Sequence, residues 1–387
     1  MSSVSSFRAR LALPTALMMF PQVVETMYSP ALPSIAQGYA VTSARAGQTL
    51  SLYFAAFALG TMLWGRLCDR WGRRPAMLAG LALYGMASCM ALWAPDFGWL
   101  LAARILAAIG AAVGSVVTQT VLRDQYGGAE LARVFALMGL ALAISPALGL
   151  LAGSALVRWR QHEGVFLGLA WLALLLGSWT AWSLPETRPK VRESPAPVWP
   201  VLGRMVRDAA LWRTAGNVAW YNLCLYGFYQ LMPFHLAQWG APSSWLATGG
   251  VLLGLGALAG AWLTRRWLAQ GLDATVLIRR ANVLLLTAAL GVMLAVLGRS
   301  AWLVVPMAVV ALAYGLAIPN LLAPALQHYA DCRGTAAALL GLAYYTLLGV
   351  GLALAALVQQ LGVVCLASAL AVHWLQPRRK DPSRGSH

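Results

Sequence analysis

The chain has 387 residues, 60% of them hydrophobic and 10% charged, with a formal net charge of +16. Soluble domains run at about 45–50% apolar and about 25% charged, so this composition is read as many membrane spans and excludes a pair of ordinary soluble domains. The positive charge sits in short breaks between apolar runs and forms no basic domain, which argues against nucleic acid as a partner.

Apolar segments separated by polar breaks predict twelve helices, at about 11–38, 46–68, 75–94, 97–122, 132–157, 165–184, 211–236, 243–266, 276–297, 301–327, 335–356 and 359–376. The expected fold class is therefore all-α, a polytopic membrane protein with two bundles of six helices. The last helix looks short: Leu361 to Trp374 reaches only about 21 Å at 1.5 Å per residue.

The first stretch, Leu11 to Ala40, carries the most informative residue. About 20 apolar residues cross a bilayer core, and Glu25 falls near the middle of this run. It is too long for a signal-peptide core of about 7–15 residues and is expected to remain as a helix. A carboxylate at that depth costs about 2.5–3.5 kcal/mol on insertion scales, which calls for a cavity, a partner or a function. The other acids are Asp69, Asp96, Asp124, Glu130, Glu163, Glu186, Glu193, Asp208, Asp273, Asp331 and Asp381. Each lies in or next to a polar break, so Glu25 is the carboxylate expected at membrane depth and the candidate proton carrier. The alternative is a structural Glu paired with a neighbouring helix.

Lys and Arg set the orientation. Alternate breaks on one side hold Arg66, Arg70, Arg73, Arg74, Arg265, Arg266, Arg279 and Arg280, besides the charged linker and tail. The other side holds only Arg45, Arg158, Arg160 and Arg299. Both termini are thus expected in the cytoplasm. The Pro-rich, charged break after helix 6 divides the chain. The expected organisation is an N-terminal bundle over 1–185, a cytoplasmic linker over 186–210, a C-terminal bundle over 211–376 and a tail over 377–387. The five Cys are scattered without metal spacing and are read as thiols, mostly buried, with no metal site. A faint internal repeat pairs Gly65 to Arg70 with Gly260 to Arg265, about half a chain apart.

Gly65-Arg66-Leu67-Cys68-Asp69-Arg70-Trp71-Gly72-Arg73-Arg74 follows helix 2 as a tight basic turn. Gly72 would permit the turn, Gly65 would let another helix pack closely, and Asp69 could accept helix-terminal N–H groups. Positive-inside charge alone explains the arginines but not the Gly, Asp and Gly at these intervals. The pattern resembles the loop signature of the major facilitator superfamily, Gly-x-x-x-Asp-Arg-x-Gly-Arg-Arg. The resemblance extends over the whole chain: six helices, a central linker, six helices. It implies a latch that joins the two halves in the outward-facing state, formed by Gly65, Asp69, Arg70, Gly72, Arg73 and Arg74. In it Asp69 meets the start of helix 11 and Arg73 pairs with Asp124.

Further stretches carry the same resemblance. Arg104 to Gly110 in helix 4 is similar to the second motif of the family, Arg-x-x-x-x-x-Gly, which implies a part for Arg104 in proton transfer. Snorkelling of a long side chain to the membrane surface is the alternative. Helix 5 holds Gly139, Ser145-Pro146, Gly149 and Gly153. Pro146 should kink the helix, and Gly149 with Gly153 should admit a close neighbour. The stretch resembles the antiporter motif of drug:proton exporters, with Ser145 where Gly is usual. Met27-Tyr28-Ser29-Pro30-Ala31-Leu32-Pro33 resembles the corresponding run of the bicyclomycin-resistance (Bcr/CflA-type) subfamily. There the acid stands directly before Met-Tyr; here that place is Thr26 and the acid is Glu25, about 100° away around a helix.

Polar and aromatic residues of the second half complete the candidate cavity. Asn222, Tyr226 and Tyr229 share one face of helix 7, with Tyr221, Gln230 and His235 nearby. Tyr314 and Asn320 in helix 10 and Tyr344 in helix 11 are expected to join Tyr28 around the substrate, whereas His235 and Tyr345 are read as interfacial or packing residues. Interfacial belts and helix-bridging amides are the alternatives for all of these.

The expected function is proton-coupled export of small amphipathic molecules across a bacterial inner membrane by alternating access, with Glu25 and Arg104 as the coupling pair. The partners are a small-molecule substrate, protons and the lipid bilayer, and the chain is read as a monomer. No cofactor is expected, and no phosphate-cradling Gly-x-x-x-x-Gly-Lys-Ser/Thr loop marks ATP as the driver. A siderophore or metabolite transporter, exporting or importing, is the nearest alternative. A membrane enzyme or sensor is the distant one, since no set of reactive side chains converges at one depth.

Overall fold

The structure is a computed structural model that describes residues 2–188 and 198–376. The described residues are almost all helical. The first span is α1 (Ser2–Tyr28), continued by α2 (Leu32–Gly38) across one 3-10 turn, Ser29–Ala31. The single helix expected over 11–38 is thus broken where Pro30 and Pro33 follow each other, since a proline supplies no backbone donor to the ladder. Then come α3 (Ser43–Trp71), α4 (Arg73–Leu92), α5 (Phe97–Gln125) and α6 (Gly128–Ser183). The last of these is two spans joined by a reversal, where Arg160 and Gln161 leave helical dihedrals. The linker carries α7 (Val198–Val206), and after it follow α8 (Ala209–Trp239), α9 (Ser244–Ala269), α10 (Ala274–Leu297), α11 (Val304–Ala325), α12 (Arg333–Val358) and α13 (Leu361–Trp374).

Counting α1 with α2 as one span and α6 as two, and leaving out the short α7, twelve spans lie among the described residues. Side-chain oxygens close several helix starts at the membrane boundary: Thr42 for α3, Asp96 for α5, Asp208 for α8 and Asp273 for α10. Each accepts a backbone N–H that would otherwise lack a partner. The three aspartates therefore serve helix ends, and Glu25 stays apart from them.

The spans form two bundles of six. In the first, α1 packs on α5 and α6, and α4 on α5 and α6; in the second, α9 packs on α11, and α8 on α12 and α13. The bundles meet along α3 with α12 and along the first arm of α6 with α9. Helix 12 of the sequence reading, α13, is short as expected, at 14 residues.

Close approach inside the first bundle depends on two glycines. A side chain at Gly149 would strike Thr26 and the Val23 carbonyl, and one at Gly153 would strike the Met27 carbonyl. These positions therefore let α1 lie directly on α6. Pro146, expected to kink the helix, sits in a stretch that keeps helical dihedrals; the break comes only at the reversal near Gln161. Gly65, expected to admit a neighbouring helix, has open space where its side chain would be. The α7 helix was not anticipated within the linker.

Gly153→Val is expected to force α1 away from α6 at a cost of about 1–3 kcal/mol, the usual range for overpacking. A lower melting temperature of the detergent-purified variant checks this, and an unchanged one contradicts it.

Candidate functional site: a central cavity open at one end

A cavity of about 550 Å³ lies between the bundles. Met18, Pro21, Gln22 and Glu25 from α1 line it, with Tyr53, Phe54 and Phe57 from α3 and Ser115 and Gln119 from α5. The first arm of α6 contributes Gly139 and Pro146; the second bundle contributes Asn222, Tyr226, Tyr229, Tyr314, Tyr344 and Tyr345. The lining continues to Phe135, Arg265 and Leu322, near the ends of α6, α9 and α11 that share a side with the Arg70 to Arg74 turn. The cavity thus reaches toward the arginine-rich end of the molecule.

At the opposite end the bundles are clasped. Gln230 of α8 is fully buried, and its amide donates to the Gly47 carbonyl of α3 at 2.9 Å and to the Leu352 carbonyl of α12 at 3.1 Å. The Ser29 hydroxyl donates to the Tyr229 carbonyl across the same junction. A side chain at Gly47 would collide with the Gln230 amide. One end is therefore sealed by direct backbone capture while the other stands open.

Glu25 is the one acid among the described lining residues. It is 3% exposed, its Oε1 has no protein partner, and its carboxyl faces the Tyr226 hydroxyl of the other bundle. Thr26, which stands where the subfamily pattern has its acid, turns instead toward α6 and returns its hydroxyl to the Gln22 carbonyl at 2.8 Å. The one-residue offset thus brings Glu25, and not position 26, to the cavity.

Arg104 is 2% exposed, so its side chain does not snorkel. Its guanidinium carbon lies 3.8 Å from the Tyr28 ring centroid and 4.6 Å from that of Tyr53. Cation–π contacts of this kind are worth up to about 2 kcal/mol when desolvated. Nε and Nη2 have no hydrogen-bond partner, and Arg104 makes no ion pair with Glu25. Tyr53 touches both Arg104 and the cavity, so Arg104 stands one ring behind the wall. Tyr28, expected to line the cavity, is fully buried against Arg104 instead.

Asn222, Tyr226, Tyr229, Tyr314 and Tyr344 line the cavity as expected from their spacing, and the Tyr314 hydroxyl reaches Asn222 at 3.4 Å. Asn320 does not line it: its amide bonds the Leu316 carbonyl one turn back at 2.7 Å. Tyr345, read as packing, does line it, and stacks on Phe54 with ring centroids 6.1 Å apart. Tyr221 turns away to bond Asn282 at 2.6 Å, and His235 stacks on Trp239 at 5.1 Å.

The turn between α3 and α4 is held from below. Arg73 Nε bonds Asp124 at 2.8 Å, and its Nη1 lies 3.4 Å from Asp69. Asp69, expected to accept helix-terminal N–H groups, has Arg73 as its ion-pair partner and a side chain that is 53% exposed. The side chains of Arg333 and Gly334, at the start of helix 11, lie outside the described residues. Glu186 supplies the helix cap instead. Its carboxylate accepts from the Arg73 N–H at 2.9 Å, the Arg74 N–H at 3.2 Å and the Arg188 N–H at 2.9 Å. Gly72 has φ +105°, and a side chain there would overlap this carboxylate. Arg70 is exposed, and Arg74 donates to the Ala181 carbonyl. Glu186 was visible only as one more acid in a polar break; a Pro-Glu-Thr run closing helix 6 was the available signal.

Burial pushes the Glu186 carboxyl up, but the N–H groups of Arg73, Arg188, Arg74 and Thr187 outweigh it and hold it below the ordinary carboxylate range. Its contribution is therefore complete above the unfolded carboxyl's pKa and is lost as pH falls through the folded value. Glu186→Ala is expected to cost about 1 kcal/mol at neutral pH, as for other caps, with wild type and variant converging in acid. Paired thermal melts across pH check this; a pH-independent gap contradicts it.

Membrane-crossing spans wrapped around a central cavity fit a membrane transporter. The chain belongs to the Major Facilitator Superfamily, which it matches over residues 16–354. It is 31% identical over 345 residues to an uncharacterized transporter of Rickettsia bellii (strain RML369-C), covering 84% of each chain. A chloramphenicol resistance protein of Pseudomonas aeruginosa is 36% identical over 165 residues, 42% of this chain and 39% of that one. Multidrug resistance protein D of Escherichia coli (strain K12) is 28% identical over 169 residues, 43% of each. Among solved structures, a bacterial homolog of the human lysosomal transporter Spinster, inward-facing and unoccupied, superposes with a TM-score of 0.72 over 95% of both chains at 14% identity. At that identity the likeness shows the fold.

Proposed function

We propose that this transporter is a proton-coupled exporter of small amphipathic molecules in a bacterial inner membrane. The observation that carries the reading is Glu25, an acid buried at the back of an aromatic cavity and facing Tyr226 of the opposite bundle. The partial likeness to chloramphenicol and multidrug resistance proteins supports the substrate class. Arginines cluster at the open end, and positive charge favours the cytoplasmic side. On that orientation both termini are cytoplasmic and the conformation is inward-facing.

In this state Glu25 gives up its proton to the cytoplasm as a cationic or polarisable substrate binds between Tyr226, Tyr229 and Phe54. Rings of this kind favour flat or positively charged groups. The Gln230 clasp then opens while the arginine-rich end closes, and a proton arriving from outside neutralises Glu25 and frees the substrate. Arg104, behind Tyr53, lowers the cost of the ionised acid without quenching it as a direct ion pair would. Each pH unit of gradient supplies about 1.4 kcal/mol per proton, and about 2.3 kcal/mol more comes from each 100 mV of potential. One pH unit and 100 mV together supply about 3.7 kcal/mol per proton, enough to hold roughly a several-hundredfold gradient of a neutral substrate, since tenfold requires about 1.4 kcal/mol.

Adding candidate drugs to weakly buffered, detergent-purified protein is expected to release protons from wild type and none from Glu25→Gln. Equal release from both would place the coupling group elsewhere.

A further inference from the structure

The linker contains an amphipathic helix whose second face is uncovered. In α7, Val201 and Met205 are buried, and they form one apolar cluster with Tyr329, Ala336, Leu339 and Leu340 at the start of α12. At about 100° per residue, Trp199 and Val206 fall together on a neighbouring face. They are 80% and 56% exposed. Trp212, 42% exposed, joins this face by donating its indole N–H to the Val206 carbonyl at 3.1 Å. Arg207 and Arg213 are exposed beside it, and neither belongs to an ion pair among the described residues.

The position of this face identifies what covers it. The helix ends three residues before α8 enters the membrane region, at the arginine-rich end of the molecule. It is therefore held at the height of the bilayer surface. Tryptophan rings settle at that level, and arginines reach the phosphates above them. A water-facing linker helix would not expose two indoles and a valine on one side with unpaired guanidinium groups at the edge. We propose that α7 with the first turn of α8 is a docking surface for anionic phospholipid headgroups, the indoles entering the interface and Arg207 and Arg213 binding phosphate.

The other flank of α7 gives this contact a consequence. Arg204 lies over the Tyr329 ring at 5.1 Å, and the Tyr329 hydroxyl donates to Asp208 at 3.1 Å. Both hold the turn that leads into α12, which packs on α3 of the other bundle. Lipid bound to α7 thus steadies the base of an element that joins the two bundles.

The test uses the full chain in nanodiscs of phosphatidylcholine with or without phosphatidylglycerol. A Trp199→Cys variant on a Cys89→Ser background carries one environment-sensitive fluorophore. The expected result is quenching by bromine-labelled acyl chains and not by aqueous iodide, stronger with phosphatidylglycerol. Phosphatidylglycerol should also raise the melting temperature of the unlabelled protein, and Arg207→Gln with Arg213→Gln should remove that rise while leaving the melt in phosphatidylcholine unchanged. Iodide quenching in both lipids would show a water-facing helix. Shielding from both quenchers would show a protein, such as a second copy, on this face. A phosphatidylglycerol effect that survives the double substitution would place the headgroups elsewhere. Each of these three results overturns the proposal.

Discussion

A carboxyl group at membrane depth is the constraint around which the first bundle is arranged. Hydrocarbon gives Glu25 no hydration, so it needs either a wet cavity or a partner. The chain provides the cavity, faces the acid with a tyrosine hydroxyl from the second bundle, and keeps the nearest guanidinium behind an aromatic ring. A direct Arg–Glu pair would fix the charge and would need to be broken at each cycle. On the proposed reading, a shielded arginine biases the acid while leaving it able to exchange its proton and to meet a substrate.

The two ends of the cavity are built differently. At the sealed end, one amide captures two carbonyls from different bundles, and small residues such as Gly47 bring the backbones within reach. Few bonds hold it and they are directional, so a rocking motion can release them together. At the open end, the charged turn after α3 is tied to its own bundle through Asp124 and Glu186. That keeps the turn rigid while Asp69 remains exposed. On the proposed reading, alternating access needs little internal rearrangement, since the bundles can rock as units and change mainly the contacts between them.

Much of the fold was legible in the sequence because apolar runs and arginine placement report the bilayer directly. The cavity was legible where polar residues recur at helical spacing, as with Asn222, Tyr226 and Tyr229. The spans α1, α8 and the short α13 fall outside the eight helices that are long and apolar enough to cross a membrane, and α1 and α8 are those that bring Glu25 and this tyrosine row to the cavity. Their reduced hydropathy is itself a trace of function. What escaped depends on rotation and on long-range pairing. Tyr28 and Asn320 sit at plausible depths but turn toward Arg104 and toward their own helix. Tyr345 reads as packing until α3 brings Phe54 against it. Glu186 caps a helix more than a hundred residues earlier in the chain, and no local pattern announces such a partner. The short α7 was hidden by the prolines and charges that surround it.

The central claim is that Glu25 itself exchanges the proton that substrate displaces. Infrared difference spectroscopy of the membrane-embedded protein, with and without a transported drug, reads this directly through the carbonyl stretch of a protonated carboxyl group. Loss of such a band on drug binding in wild type, absent from Glu25→Gln, is the expected result. A band that persists unchanged in Glu25→Gln would assign the proton to another group and contradict the account.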